Sequence, residues 1–408
     1  MVLRYAVVGA GGYGGRHIEN IRRHGERLGC MLSAVAIRPQ DRRPGQVEHF
    51  QAEGVEVFAD AVEMFDRLTG RIDAVFIPTG IHTHCPLTCA ALQRGHNVYL
   101  EKPPAATVQQ LDRMRAAVVH SGRICALGFQ AISSSSIAFL KQRVVSGELG
   151  HVRRLRCWAF APREDKYYAR NEWAGRLKLG EAWVLDGPSN NALSHEIANM
   201  LYLASPRPRA FAAPTAVRAE LYHARDIESE DTAAIEIRTA EGATACFIVS
   251  HCAAGPQAGP RIEMECSRAH VRWDFSGRTA IAYDDGRGES LDGDDPPPPV
   301  AALANFTQAV RDGDAGLLNC TLGMGRNFTL ALNGAFESSG RVHPIPGRYV
   351  TRAGDGPEAT TVVKGINDLI ARCAAEGLLY SDAGCEWAAR TEPFDLTGYA
   401  EFPQRFEA

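Results

Sequence analysis

The chain has 408 residues, 45% of them hydrophobic, with a formal net charge of −4. That length exceeds one simple core, so two domains are expected, and no basic block marks a nucleic-acid surface. No apolar run approaches the roughly 18 residues of a membrane span, and eleven scattered cysteines read as the reduced thiols of a cytoplasmic protein.

The first predicted strand, Arg4–Val8, starts almost at the N-terminus, with no signal-peptide pattern before it. It runs into Gly9-Ala-Gly11-Gly12-Tyr13-Gly14 and then a helical pattern over Arg16–Leu28. This is GxGxxG between strand and helix, where the motif has meaning. Gly9 allows the tight turn, Gly11 lets the backbone approach a pyrophosphate, and Gly14 lets helix and strand pack closely. A second strand, Met31–Ile37, ends at Arg38, with Arg42 and Arg43 following. An acid at this point would accept from a ribose 2′-hydroxyl. A cation accommodates a 2′-phosphate, so the dinucleotide reading covers NAD and NADP with a lean to NADP. The alternative is that Arg38 stacks on adenine or points to water.

Further strands are predicted at Val55–Phe58, Ala74–Ile77, Asn97–Leu100 and Cys125–Phe129, with helices at Pro86–Arg94 and Val108–Ser121. Strand–helix alternation argues a parallel sheet covered on both faces. Ligands then bind at the carboxyl ends of the strands. Thr79, Gly80 and His82 fall there, and His82, His84, Cys85 and Cys89 imitate a zinc site. Their spacing matches no usual arrangement, so no metal is expected. Glu101-Lys102-Pro103-Pro104 ends another strand. A partly buried Lys at that point can hydrogen-bond a substrate hydroxyl; the alternative is a surface Lys paired with Glu101.

The pattern changes near Ser133–Ser136. Period-two segments at His151–Phe160, Phe211–Ala224, Thr232–Arg238, Thr244–His251, Arg261–Cys266 and His270–Phe275 predict a mostly antiparallel sheet. Between the first two lies a polar aromatic stretch with Arg170, Trp173 and Arg176, suited to a polyol. Leu185–His195, LDGPSNNALSH, follows. Pro188 suits a first helical turn, which leaves Asp186 in the loop and puts Asn191, His195 and Asn199 on one helical stripe. His195 is the candidate general base, because its ordinary pKa lies near neutrality. Asn191 cannot take a proton but can hold a hydroxyl or orient the imidazole. Asp186 is either the carboxylate partner or a helix cap. A stiff loop at Asp294–Pro299 precedes helices at Val300–Arg311 and Thr321–Ser338, and the tail carries one at Val362–Glu376.

Taken together, GAGGYG, LEKP, GFQ at Gly128–Gln130, the Asp-to-His region and MGRNFTLALNGAFESSG resemble the glucose–fructose oxidoreductase/inositol dehydrogenase (Gfo/Idh/MocA) family over nearly the whole chain to about Arg348. The resemblance implies an α/β fold: an N-terminal Rossmann domain (residues 1–131), then an α+β domain with a large open, mostly antiparallel sheet (132–347). The helices near 300–338 would pack back on the first domain, and 348–408 forms a C-terminal extension. It implies hydride transfer between NAD(P) and a secondary alcohol of a sugar, cyclitol or glycoside. It also implies a homodimer or homotetramer associating through the sheet. Lys102 would touch the nicotinamide ribose and the substrate, Pro103 would be a cis proline, and Gln130 would lie near the nicotinamide. Family members commonly carry Asp four residues before His, where this chain has Asn191. Two other functions stay open. One is redox-neutral glycoside cleavage or epimerisation through transient oxidation by tightly held cofactor. The other is a non-enzymatic dinucleotide-binding regulator, disfavoured by the presence of both Lys102 and His195.

Overall fold

The structure is a computed structural model that describes residues 2–408. The chain divides into two compact units. Of the described residues, the first comprises 2–105, 109–134 and 295–326, and the second 106–108, 135–294 and 327–408.

In the first unit, strands β1 (Leu3–Val8), β2 (Cys30–Ala36), β3 (Glu56–Phe58), β4 (Ala74–Ile77), β5 (Asn97–Leu100) and β6 (Cys125–Leu127) form one parallel sheet in the order β3-β2-β1-β4-β5-β6. Helices α1 (Gly12–Leu28), α2 (Gln46–Ala52), α3 (Ala61–Arg67), α4 (Ile81–Gln93) and α5 (Val108–Ser121) alternate with them. All four residues of β4 are buried, as expected of a strand covered on both faces. Strand order reverses beside β1, which places the ligand crevice beyond the carboxyl ends of β1 and β4.

The sequence reading began α4 at Pro86; the helix begins at Ile81 and carries Pro86 inside it. The first four N–H groups of a helix have no intrahelical acceptor, so Pro86, two positions further on, removes a single bond. His82 therefore lies on a helix and not in a strand-end loop, and Cys85 and Cys89 share that helix.

The second unit opens with α6 (Ser135–Val145) and β7 (Val152–Phe160), then the short α7 (Asp165–Tyr168), the β8 (Lys178–Leu179) and β9 (Ala182–Trp183) hairpin, and α8 (Ser194–Ala204). Seven strands follow: β10 (Pro214–His223), β11 (Thr232–Thr239), β12 (Thr244–Ser250), β13 (Ala258–Cys266), β14 (Ala269–Asp274), β15 (Arg278–Tyr283) and β16 (Gly288–Asp292). Two short strands of the tail pair with β10 in a ten-stranded sheet whose other eight run β16-β15-β14-β13-β7-β12-β11-β10. The pairs among these eight are antiparallel except β7 with β12. The expected fold class is borne out, although the β15–β16 hairpin was not foreseen.

Helix α9 (Pro298–Asp312) belongs to the first unit, where Phe306 packs its ring against Tyr5, Phe76 and Tyr99. Helix α10 (Leu322–Ser339) starts in the first unit and ends in the second. The tail adds β17 (His343–Pro344), the β18 (Val350–Ala353) and β19 (Thr360–Val363) hairpin, α11 (Ile366–Glu376) and β20 (Phe394–Asp395). β20 pairs antiparallel with β10, so the tail belongs to the second unit's sheet. No helix of the described residues is long and apolar enough to cross a membrane.

Candidate active site

The glycine turn has the shape its sequence requires. Gly9 adopts φ +86°, and a Cβ on Gly14 would lie 2.3 Å from the Gly9 carbonyl oxygen, so only glycine lets α1 come this close to β1. A Cβ on Gly11 would meet nothing within 4 Å. Gly11 is also the N-cap of α1, and no side chain caps that end. Open space above uncapped N–H groups and a positive dipole end fits the pyrophosphate of a dinucleotide. Arg38 is exposed and donates to Asp41 Oδ2 (2.6 Å), while Arg42 Nε donates to the Ile37 carbonyl (3.1 Å). The cation expected at the end of β2 thus has a carboxylate at its side, which the sequence reading overlooked.

Behind the turn that carries Lys102 lies a buried polar network. Glu101, 4% exposed, turns its carboxylate inward. It accepts from Gln130 Nε2 (2.8 Å), contacts His17 Nε2 (2.8 Å), and accepts from the Lys102 backbone N–H (3.1 Å). Tyr13 donates from its hydroxyl to Gln130 Oε1. Burial, reinforced by the Glu101 charge, pushes Tyr13 up to about 12, so it stays a neutral donor. Four groups, from α1 and from the residues after β5 and β6, therefore fix the backbone of the Lys102 turn. The Lys102–Pro103 peptide is cis, as the resemblance implied.

His84 acts on the same turn. It is fully buried, with Nδ1 2.8 Å from the Pro103 carbonyl and Nε2 3.0 Å from the Thr79 carbonyl. The ring bridges the segments after β4 and β5, tying Thr79 and Gly80 to the Lys102 turn. Burial lowers its pKa against the pull of the two carbonyls. The sequence reading saw His84 only as part of a false metal cluster, because its backbone partners leave no trace in residue types. Among the described residues, no group of three or more His, Cys, Asp or Glu could hold a metal ion.

In the second unit, the Asp-to-His segment differs from the expected continuous helix. Residues Pro188–Ala192 form a π-turn, with Ala192 N–H donating to Gly187 O (3.2 Å) and Leu193 N–H to Pro188 O (2.8 Å). The helix breaks at Leu193 (φ −122°, ψ 28°) and α8 starts at Ser194. Asn191 and His195 are therefore not on one α-helical stripe; only His195 and Asn199 share α8. π-turns of this kind recur at functional sites.

Asp186 does not cap a helix. It is 1% exposed, and each carboxylate oxygen is committed. Oδ1 accepts from Asn191 Nδ2 (2.6 Å); Oδ2 accepts from Arg170 Nη2 (2.9 Å) and the Gly175 N–H (2.8 Å). Asp186 thereby fixes which end of the Asn191 amide faces it. Arg170 also lies over the rings of Tyr167 (3.9 Å to centroid) and Trp173 (5.2 Å), so Arg170, Trp173 and Asp186 form one cluster. Arg176 does not join it with its side chain, which reaches Glu228 (3.5 Å). Leu185, buried just before Asp186, holds φ +53°, a region bulky side chains rarely adopt.

Sequence reasoning missed Glu230. Fully buried below the π-turn, it accepts from Ser189 Oγ (2.5 Å) and Ser229 Oγ (2.7 Å). A Cβ on Gly187 would lie 2.1 Å from Glu230 Oε1. Burial pushes this carboxyl up to about 7. As one of four acids in the stretch Asp226–Asp231 ahead of a strand, it gave no signal of this role.

The family model described as "Oxidoreductase family, NAD-binding Rossmann fold" matches residues 3–129, and the "GFO/IDH/MocA C-terminal domain" matches residues 137–272. An inositol 2-dehydrogenase of Rubrobacter xylanophilus is 33% identical over 153 residues, 37% of this chain and 42% of the relative. The chain thus matches under half the length of that relative. Two solved structures share the fold. The WlbA dehydrogenase from Bordetella pertussis, in complex with NADH and UDP-GlcNAcA, has a TM-score of 0.67 at 21% identity, covering 83% of this chain and 97% of that one. A levoglucosan dehydrogenase in complex with NADH has a TM-score of 0.71 at 16% identity, with the same coverage.

Proposed function

Because this chain belongs to the Gfo/Idh/MocA oxidoreductase family, with its NAD-binding Rossmann domain, we propose that it oxidises a secondary alcohol of a cyclitol, sugar or glycoside with NAD. The observation that carries this reading is the open, uncapped glycine turn in the same unit as a Lys102 turn whose backbone is fixed by a buried Glu101 carboxylate. When bound, the dinucleotide supplies the hydride-accepting ring. Gly9, Gly11, Gly12, Tyr13 and Gly14 hold its pyrophosphate, and Thr79, Gly80, His82 and Gln130 line its crevice. The pairing of Arg38 with Asp41 supports NAD over NADP, since Asp41 opposes a 2′-phosphate.

Lys102 donates a hydrogen bond to the substrate hydroxyl and eases its ionisation, and His195 takes the proton. Asn191, with its amide nitrogen turned to Asp186, offers its carbonyl oxygen to a neighbouring hydroxyl. Asp186 is a positioning residue in this reading, because Arg170, Gly175 and Asn191 occupy both its oxygens. The Tyr167 and Trp173 rings suit the C–H faces of a polyol.

The test is a panel of cyclitols, sugars and glycosides with NAD and NADP, following reduced nicotinamide and product together. Reduced cofactor accumulating with NAD is expected. Turnover without it replaces this reading with the redox-neutral one. Lys102→Ala is expected to lower turnover by about 10²–10⁴-fold; unchanged turnover, or failure to bind either dinucleotide, overturns the proposal.

A further inference from the structure

Residues two apart on a strand share a face of the sheet, and registered partners share it across strands. One such row crosses the second unit's sheet as Glu220, Ala234, Ile248, Trp158, Arg261 and Asp274. Helix α8 packs on β7, β12 and β13, with Cys157 within electrostatic reach of its Glu196, so Cys157 marks the opposite, inner face. The outer row is apolar at β11, β12 and β7 and charged beyond.

The chain's own tail covers the apolar part. Ile366, Ile370, Leu379 and Tyr380 share one buried cluster with Tyr222, Ala234 and Ile248, with Trp158 packed at its border. The seam is also tied by specific polar contacts. Arg218 donates to both Asp382 carboxylate oxygens (2.7 and 3.0 Å) and to the Thr391 carbonyl (2.9 Å). Glu220, fully buried, accepts from Ser381 Oγ (2.5 Å) and N–H (3.1 Å). The Tyr380 hydroxyl reaches the Ala233 and Val249 carbonyls (both 3.3 Å). Lifting the tail would leave a buried carboxylate without these partners, which opposes transient undocking.

Self-association through a sheet face calls for an accessible, largely apolar patch of about 800 Å² per partner. On this face the tail has taken that patch. What remains beyond β7 presents exposed Arg261 and Arg272, and among the described residues of this unit only Val145 and Phe275 are large hydrophobics with high exposure.

We propose that the C-terminal segment closes the outer face in cis, in the place a second copy would take, and that the chain is a monomer in solution. This departs from the homodimer or homotetramer that the family resemblance implies. Sedimentation equilibrium of the full chain, over a hundredfold concentration range and with NAD present, is expected to give the mass of one chain. A concentration-independent mass of two or four chains overturns the proposal. Hydrogen exchange on the same sample is expected to show α11 as protected as β12; exchange of α11 at loop rates overturns it as well. A chain ended at Gly347 is expected to associate through the bared face, and a folded monomer of that length counts against it. Should the shortened chain not fold, the two measurements on the full chain still decide.

Discussion

Asp186 and Asn191 show how a site can be half legible in sequence. The residue types were all visible, and the departure from the family's Asp-to-His spacing was visible too. That the Asp carboxylate reaches Asn191 at 2.6 Å was not, because it depends on a π-turn that no helical period announces. With three donors on Asp186, an amide there must turn its own donors against one of them. Asp186→Asn is expected to cost about 3 kcal/mol of stability and to lower kcat with the shape of the pH profile unchanged. Loss of the acidic limb of that profile would instead make Asp186 the base. Glu230 gives a separate pH test. Its pKa is raised from 4.5 to about 7, so the stability it contributes is complete below its unfolded value and is lost as the pH rises through 7. Relative to Glu230→Gln, the parent chain is expected to lose roughly 3 kcal/mol between about pH 4.5 and 7. Urea unfolding at the two ends of that window measures it, and parallel curves would place the carboxyl elsewhere on the scale.

At the level of elements, the parallel strands were read almost to the residue, because runs such as Ala74–Ile77 are continuously apolar and bounded by turns. Helix α4 was the main miss. Pro86 looked like a helix start, yet the helix passes through it, and this extension carries His84 under the crevice. A side chain whose partners are carbonyls is silent in residue statistics. His84→Ala is expected to leave the chain folded while loosening the Thr79 and Pro103 segments together. The expected effect is about a tenfold rise in the dinucleotide Kd and a similar fall in kcat. Calorimetric titration and steady-state kinetics check the two separately; a change in neither would make His84 only a packing residue.

On the scale of the whole molecule, the two-part architecture was legible from the switch between strand–helix alternation and period-two strands near residue 134. The return of α9 to the first unit was expected from the resemblance, but its place in the aromatic core could not be read from periodicity. Phe306 completes a cluster with Tyr5, Phe76 and Tyr99, and Tyr5 donates to Thr307 on the same helix (3.0 Å). A fragment of residues 1–134 is therefore expected to remain molten, and a fusion of 1–134 to 295–326 through a flexible linker to fold and bind NAD. Near-UV circular dichroism distinguishes the two, and a cooperative native signal from the short fragment would refute this. The same feature bears on how the protein is born. A nascent chain that has emerged to residue 134 must wait for its missing helix while residues 135–294 of the second unit are translated. At about 5–20 residues per second that interval is roughly 10–40 s. Throughout it the half-built cofactor domain exposes Tyr5, Phe76 and Tyr99, so ribosome-associated chaperones have a long claim on this unit while the strands of the other are being made.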